Sequence, residues 1–90
     1  MQINYDPDKR ATTLLHRGLD MADAAIVFGG PCVTLRDIRY DYGEDRLFTL
    51  GLFLGRMVVL VWTWRGTTRR IISMRKANER EQSLYRNQLD

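Results

Sequence analysis

The hydrophobic pattern along the chain changes period at Pro31, from helical spacing before it to strand-like alternation after it. Gln2 to Tyr5 reads as a short edge strand. Asp6-Pro7 opens a helix: the Asp6 carboxylate suits the free amides of a first turn, and Pro7 suits a position where its missing N–H needs no partner. Ala11, Leu14 and Leu15 give this helix a narrow apolar stripe, and Gly18 ends it. A second helix starts at Asp20. Met21, Ala24, Ala25 and Phe28 fall on one of its faces, and Gly29-Gly30-Pro31 stops it.

Beyond Pro31, Cys32 to Tyr40 reads as a strand whose alternation slips near Asp37, and Asp41-Tyr42-Gly43 as a turn. Leu47 to Leu54 alternates, with Phe48, Leu50, Leu52 and Leu54 on one face, and Leu54-Gly55-Arg56 turns the chain again. Met57 to Trp64 is apolar on both faces, as a central strand should be. Arg65-Gly66 is the third turn, and Thr68 to Arg75 the last strand. Strict alternation there puts Arg69 and Arg75 on one face and Arg70 on the other. Asn78 and Glu81 have capping-box spacing at the start of a final helix, whose Leu84 and Tyr85 are placed to dock on the sheet. The order predicts an α+β fold: two N-terminal helices, an antiparallel meander of three to four strands, and a C-terminal helix.

Ninety residues suggest a single domain with one core, and a hydrophobic fraction of 44% is enough to fill it. The single cysteine, Cys32, excludes an intramolecular disulfide and reads as a small buried hydrophobe. No phosphate loop, zinc spacing or dinucleotide fingerprint is present, so neither metal nor cofactor is expected. His16 is the only histidine, which excludes a two-histidine mechanism. The N-terminus has no basic start and no apolar run, and the longest apolar stretch, Met57 to Trp62, falls far short of the ~20 residues of a membrane span. A cytoplasmic protein with no membrane partner is expected.

Charge sharpens the picture. Residues 1–45 carry five basic and eight acidic side chains, a net of −3, whereas residues 46–90 carry nine basic and three acidic, a net of +6. The asymmetry points the second half toward a polyanion. Arg69, Arg70, Arg75, Lys76 and Arg80 gather along the last strand and the helix entrance at Asn78, and Glu44-Asp45-Arg46 brings carboxylates close to a cation in the preceding hairpin. Such a set suits RNA, which carries its own nucleophile, the 2′-hydroxyl. Arginines orient the phosphate and neutralise developing charge, with Glu44 or His16 as general base and Tyr85 or Lys76 as proton donor. Structural readings compete at several of these positions. Glu44 and Arg46 also read as a surface pair worth about 0–1 kcal/mol. His16 suits the negative end of its helix dipole. Tyr85, Trp62 and Trp64 read as core residues rather than base-stacking platforms.

The ordered motifs resemble the BrnT toxins of bacterial type II toxin–antitoxin systems. Tyr5-Asp6-Pro7-Asp8-Lys9 is similar to that family's aromatic-Asp-x-x-Lys opening, and Ala25-Ile26-Val27-Phe28 to its Ala-x-x-Phe helix end. Glu44-Asp45-Arg46 followed by Gly51 resembles its Glu-Glu-Arg segment and following Gly. Arg70-Ile71-Ile72-Ser73-Met74-Arg75-Lys76-Ala77, then Glu81 and Tyr85, matches its Arg-Ile-Ile-Ser-Ala-Arg-Lys-Ala run most closely. The resemblance implies a RelE-like fold without a metal, a toxin that cleaves RNA and blocks translation, and a BrnA-like ribbon-helix-helix antitoxin through which the complex touches operator DNA. It implies functional roles for Lys9, Glu44, Arg46, Arg70, Arg75, Lys76 and Tyr85. Of these, Lys9 is expected to bind RNA and the other six to act in catalysis; the basic residues His16, Arg17, Arg69 and Arg80 are further RNA-binding candidates. Two departures stand out: His16-Arg17 replaces the family's Lys-His pair, and Met74 replaces a small residue beside Arg75. They motivate a second reading, a non-catalytic toxin-fold module that serves as an antitoxin-binding co-repressor. A general single-strand RNA binder is a third.

Overall fold

A computed structural model describes residues 1–89. The chain runs β1 (Ile3–Tyr5), α1 (Pro7–Arg17), a 3-10 turn (Met21–Asp23), α2 (Ala24–Gly29), β2 (Cys32–Asp37), β3 (Arg46–Phe53), β4 (Arg56–Arg65), β5 (Thr68–Lys76) and α3 (Glu79–Leu89). Strands order as β1-β5-β4-β3-β2. β2 to β5 form the antiparallel meander that the short turns predict, with four strands. β1 adds a fifth strand parallel to β5, from Ile3 opposite Arg69 to Tyr5 opposite Ile71. The edge strand read at Gln2 to Tyr5 is present, but its parallel pairing makes the sheet mixed and five-stranded, which corrects the expectation of an antiparallel sheet of three to four strands. Pairing between opposite ends of a chain leaves no local pattern in either segment.

The helical segments keep their predicted caps but change their buried faces. Asp6 Oδ1 accepts from the Asp8 amide at 2.9 Å, and Gly18 closes α1 in the left-handed region at φ 68°. The expected stripe of Ala11, Leu14 and Leu15 is exposed, and Thr13 is the buried residue of α1. Polar contacts attach this helix to the stretch of β5 beyond the end of β1: Lys9 Nζ donates to the Ile72 carbonyl at 3.3 Å, and Arg17 Nη1 to the Met74 carbonyl at 2.9 Å. In the next segment Met21, Ala24 and Val27 are buried, Phe28 is half-buried and Ala25 is exposed. The 3-10 turn explains the shift, because it advances three residues per turn and carries a spacing of three into α2.

The sheet has a core on each face. Leu19, Met21, Ala24 and Val27 pack on Val58, Leu60, Trp62, Ile71 and Met74. On the other face Leu89, with Tyr85 beside it, packs over Leu50, Met57 and Val59. β4 feeds both clusters, as its doubly apolar sequence predicts. Leu84, expected to dock, is exposed; Glu81, Tyr85 and Leu89 form the inward face of α3 at a spacing of four. The capping box forms: Asn78 Oδ1 accepts from the Glu81 amide at 2.8 Å, and Glu81 Oε1 from the Asn78 amide at 2.9 Å.

Two local features set the site. β2 ends at Asp37, not Tyr40, where the Asp37 side chain turns inward and is almost fully buried. In β5, Val61 of β4 faces Ser73 while Trp62 faces Ile71, so Ile72 is an extra residue, a β-bulge. One inserted residue reverses the side-chain phase. Arg70, Ser73 and Arg75 therefore share the face of Thr63, Val61 and Val59, on which α3 lies. Arg69, Ile71, Met74 and Lys76 share the face of Trp64, Trp62, Leu60 and Val58. The expected grouping of Arg69 with Arg75 is thereby overturned.

Candidate active site

On the α3 face, at the end of the sheet away from that helix, six ionisable residues converge. A cleft of about 180 Å³ is lined by Lys9, Glu44, Arg46, Arg65 and Arg70, together with Asp6 and with Ile71 and Ile72 at the bulge. Strand register builds it. Arg46 opens β3 opposite Thr63 of β4, and Arg70 of β5 lies on the other side of the same Thr63. With strands about 4.8 Å apart, the two arginines flank Thr63 across roughly 10 Å of sheet. Arg65 follows two residues further along β4. Glu44 reaches in from the β2–β3 loop, its Oε2 3.3 Å from Arg65 Nη2 and its Oε1 3.7 Å from Arg46 Nε. Thr63 Oγ1 donates to the Asp45 carbonyl and pins that loop to the sheet. Lys9 enters from α1.

Arg46 is held from beneath. Its guanidinium lies over the Tyr42 ring at 4.1 Å, and the Tyr42 hydroxyl donates to Asp37 Oδ2 at 3.2 Å. Arg39 grips the same carboxylate with Nε at 3.0 Å and Nη2 at 2.9 Å, and donates its amide at 3.2 Å. The hydrogen bonds from the Arg39 side chain, opposed by burial, hold the Asp37 carboxyl at about 2, below its ordinary 3.8. Arg46 Nε is buried and, among the described residues, has no hydrogen-bond acceptor. Glu44 lies just outside bonding range, so the cleft keeps one donor unspent.

Arg75 stands on the same face beyond Ser73, outside the cleft. It forks onto Glu81 with both nitrogens at 2.8 Å, which raises the arginine's pKa and lowers that of the carboxyl. The other sequence candidates lie elsewhere. Lys76, at the last position of β5 and in phase with Met74, lines a separate depression near the C-terminal end of α3, with Leu52, Arg56 and Arg86. Tyr85 packs on the Leu50–Met57 core. Arg69 is boxed by the rings of Phe28, Trp62 and Trp64 at 4.3, 5.1 and 5.3 Å. His16 and Arg17 line a shallow depression on the α1 side that meets the cleft only at Lys9 and Ile72. Arg80 is exposed in the first turn of α3 and lines neither. Met74 is fully buried on the face opposite Arg75, so its bulk does not crowd that arginine.

Sequence reasoning missed Asp37, Arg39, Tyr42 and Arg65. The slip in alternation at Asp37 was the one signal, since a strand with a buried carboxylate must stop to supply it with donors. Among the described residues no group of His, Cys, Asp and Glu side chains is arranged to hold a metal ion, and no helix is long and apolar enough to cross a membrane. The family model described as the ribonuclease toxin, BrnT, of type II toxin–antitoxin systems matches residues 5–81. The chain has no match among curated proteins.

Proposed function

The chain belongs to the BrnT family of ribonuclease toxins of type II toxin–antitoxin systems, and from that premise we propose that it is a metal-independent endoribonuclease whose reaction centre is the cleft of Lys9, Glu44, Arg46, Arg65 and Arg70. The convergence of Glu44, an amine and three guanidinium groups on one open sheet end, beside the helix-capping Asp6, carries this reading. Glu44 takes the proton of a ribose 2′-hydroxyl, whose oxygen then bonds to the adjacent phosphorus. The bond from phosphorus to the 5′-oxygen breaks, and Lys9 supplies that oxygen with a proton. The products are a 2′,3′-cyclic phosphate and a 5′-hydroxyl. Arg46, Arg65 and Arg70 balance the charge that grows on the non-bridging oxygens, a task for which the planar guanidinium fork is suited. Arg75, paired with Glu81, stands further along the same face as a fixed guanidinium plane beside the RNA.

RNA cleavage in the cytoplasm would halt translation. A BrnA-like ribbon-helix-helix antitoxin would restrain the toxin and carry the complex to operator DNA. The test is incubation of the purified chain, free of antitoxin, with single-stranded RNA in EDTA. Cleavage to cyclic-phosphate ends is expected, and Arg46→Ala or Arg70→Ala should each slow it by roughly 10²–10³-fold. RNA left whole by the wild type would replace this reading with the non-catalytic co-repressor.

A further inference from the structure

Next to the cleft, the same sheet face holds a second cavity of about 280 Å³ that no step of the cleavage uses. Phe48, Val59 and Val61 form its floor, and Ile38, Arg39 and Arg75 stand around it. Phe48 follows Arg46 by two residues on β3, and Val61 precedes Thr63 by two on β4. The cavity therefore begins one side-chain row, about 6.6 Å of strand, from the row that carries Arg46 and Arg70.

Its surfaces narrow the choice of occupant. The floor is apolar and includes one aromatic ring, and Ile38 overhangs it at 82% exposure. The flanking guanidinium groups are fixed in place, Arg39 by its fork on Asp37 and Arg75 by its fork on Glu81. The volume lies just below the roughly 300–1,000 Å³ of drug-sized ligand sites. A suitable guest is small and flat, with an apolar face and a polar edge, and is joined to an anion one row away. Unpaired nucleobases have these properties, and proteins read them by stacking on aromatic rings and guanidinium planes. We propose that this cavity receives the unpaired base of a nucleotide adjoining the scissile phosphate, so that Phe48, Val61 and Ile38 set which residue of the RNA is presented for cleavage. The inference rests on the ribonuclease reading and adds its recognition subsite. An apolar side chain of the antitoxin would also fit the floor, but the continuity with a cleft where four cations face a single nearby Glu44 favours RNA.

The test needs no turnover. The protein, labelled with ¹³C at its Ile, Leu and Val methyls, is titrated with a short 2′-O-methyl RNA, which lacks the nucleophile, and with the same strand made abasic at each position in turn. Removing one particular base is expected to weaken binding about tenfold and to abolish shifts of the Val59, Val61 and Ile38 methyls. Equal affinity for all strands with those methyls unmoved overturns the proposal alone, provided that Arg46→Ala still weakens binding. No binding by any strand overturns the subsite and the ribonuclease reading together. Methyl shifts on adding antitoxin but not RNA would assign the cavity to the protein partner and also overturn the proposal. Val61→Trp, which fills the space, should erase the difference between intact and abasic strands. Ile38→Ser, at an exposed lip outside the core, should reduce that difference even if the tryptophan variant fails to fold.

Discussion

Arg70 and Arg75 project from the same side of the sheet although an odd number of positions separates them, because Ile72 bulges out of register between them. Without the bulge, Arg69 would join Arg75, and Arg70 would face the aromatic core. Adjacent arginines thus hold opposite duties. Arg70→Ala is expected to lower kcat/KM for RNA about 100-fold and leave the urea midpoint unchanged. Arg69→Ala, which empties the box of Phe28, Trp62 and Trp64, is expected to cost about 1–2 kcal/mol of stability with cleavage intact. Paired kinetics and urea unfolding decide the matter, and the reverse assignment of effects would place the bulge wrongly.

Asp37 links strand termination to the site, and acid should expose the link. Its carboxyl is held at about 2 in the fold against 3.8 ordinarily, chiefly by hydrogen bonds from Arg39. The folded state therefore binds the proton less readily than the unfolded chain. The stability so gained is fully present above about pH 4 and disappears as the pH falls toward 2. Arg39 is mostly exposed, so solvent discounts the pair to about 1–2 kcal/mol. Asp37→Asn should be less stable than wild type at pH 7, with the gap closing between pH 4 and 2. Urea unfolding across that range measures it. A gap constant with pH would mean that the network contributes nothing through charge.

Much of this arrangement was legible in the sequence because it depended on local chemistry. The caps at Asp6 and Asn78, the stop at Gly18, the doubly apolar β4 and the alternation of Phe48, Leu50 and Leu52 each follow from residues a few positions apart. What was not legible depended on distant partners. Nothing near Ile72 announces a bulge, whose cause lies in its pairing with β4. Nothing near Leu14 shows that α1 meets a strand edge through Lys9 and Arg17 and leaves its leucines in solvent. The cleft was half legible. Glu44, Arg46, Arg70 and Lys9 were chosen for chemistry and meet in space, whereas Lys76 and Arg69 were chosen for charge and lost their places to the reversed strand phase.

Gly51 marks where α2 sits hardest on the sheet. A methyl group there would lie 2.6 Å from Val27 Cγ1 and 3.2 Å from Cys32 Cβ. Val27 is fully buried and β-branched, so it has little freedom to yield. Gly51→Ala should therefore cost about 1–3 kcal/mol through overpacking. Val27→Ala leaves a cavity of its own, yet the double variant should recover part of the Gly51→Ala loss. A double-mutant cycle by thermal unfolding reads the coupling; strictly additive effects would show that the two residues do not oppose each other.

Tyr42 separates positioning from stability at Arg46. Its ring carries the guanidinium at 4.1 Å, and its hydroxyl serves Asp37, on the other side of the network. Tyr42→Phe keeps the ring and removes only the hydrogen bond. It should cost about 1 kcal/mol of stability and leave kcat near wild type. Tyr42→Leu removes the ring, and Arg46 loses the surface that fixes its plane. Because an error of about 1 Å in placing a catalytic group can cost a hundredfold, kcat should fall by roughly 10–100-fold while KM changes little. Equal kinetic losses in both variants would show that the hydroxyl, acting through Asp37, is what orders the arginine.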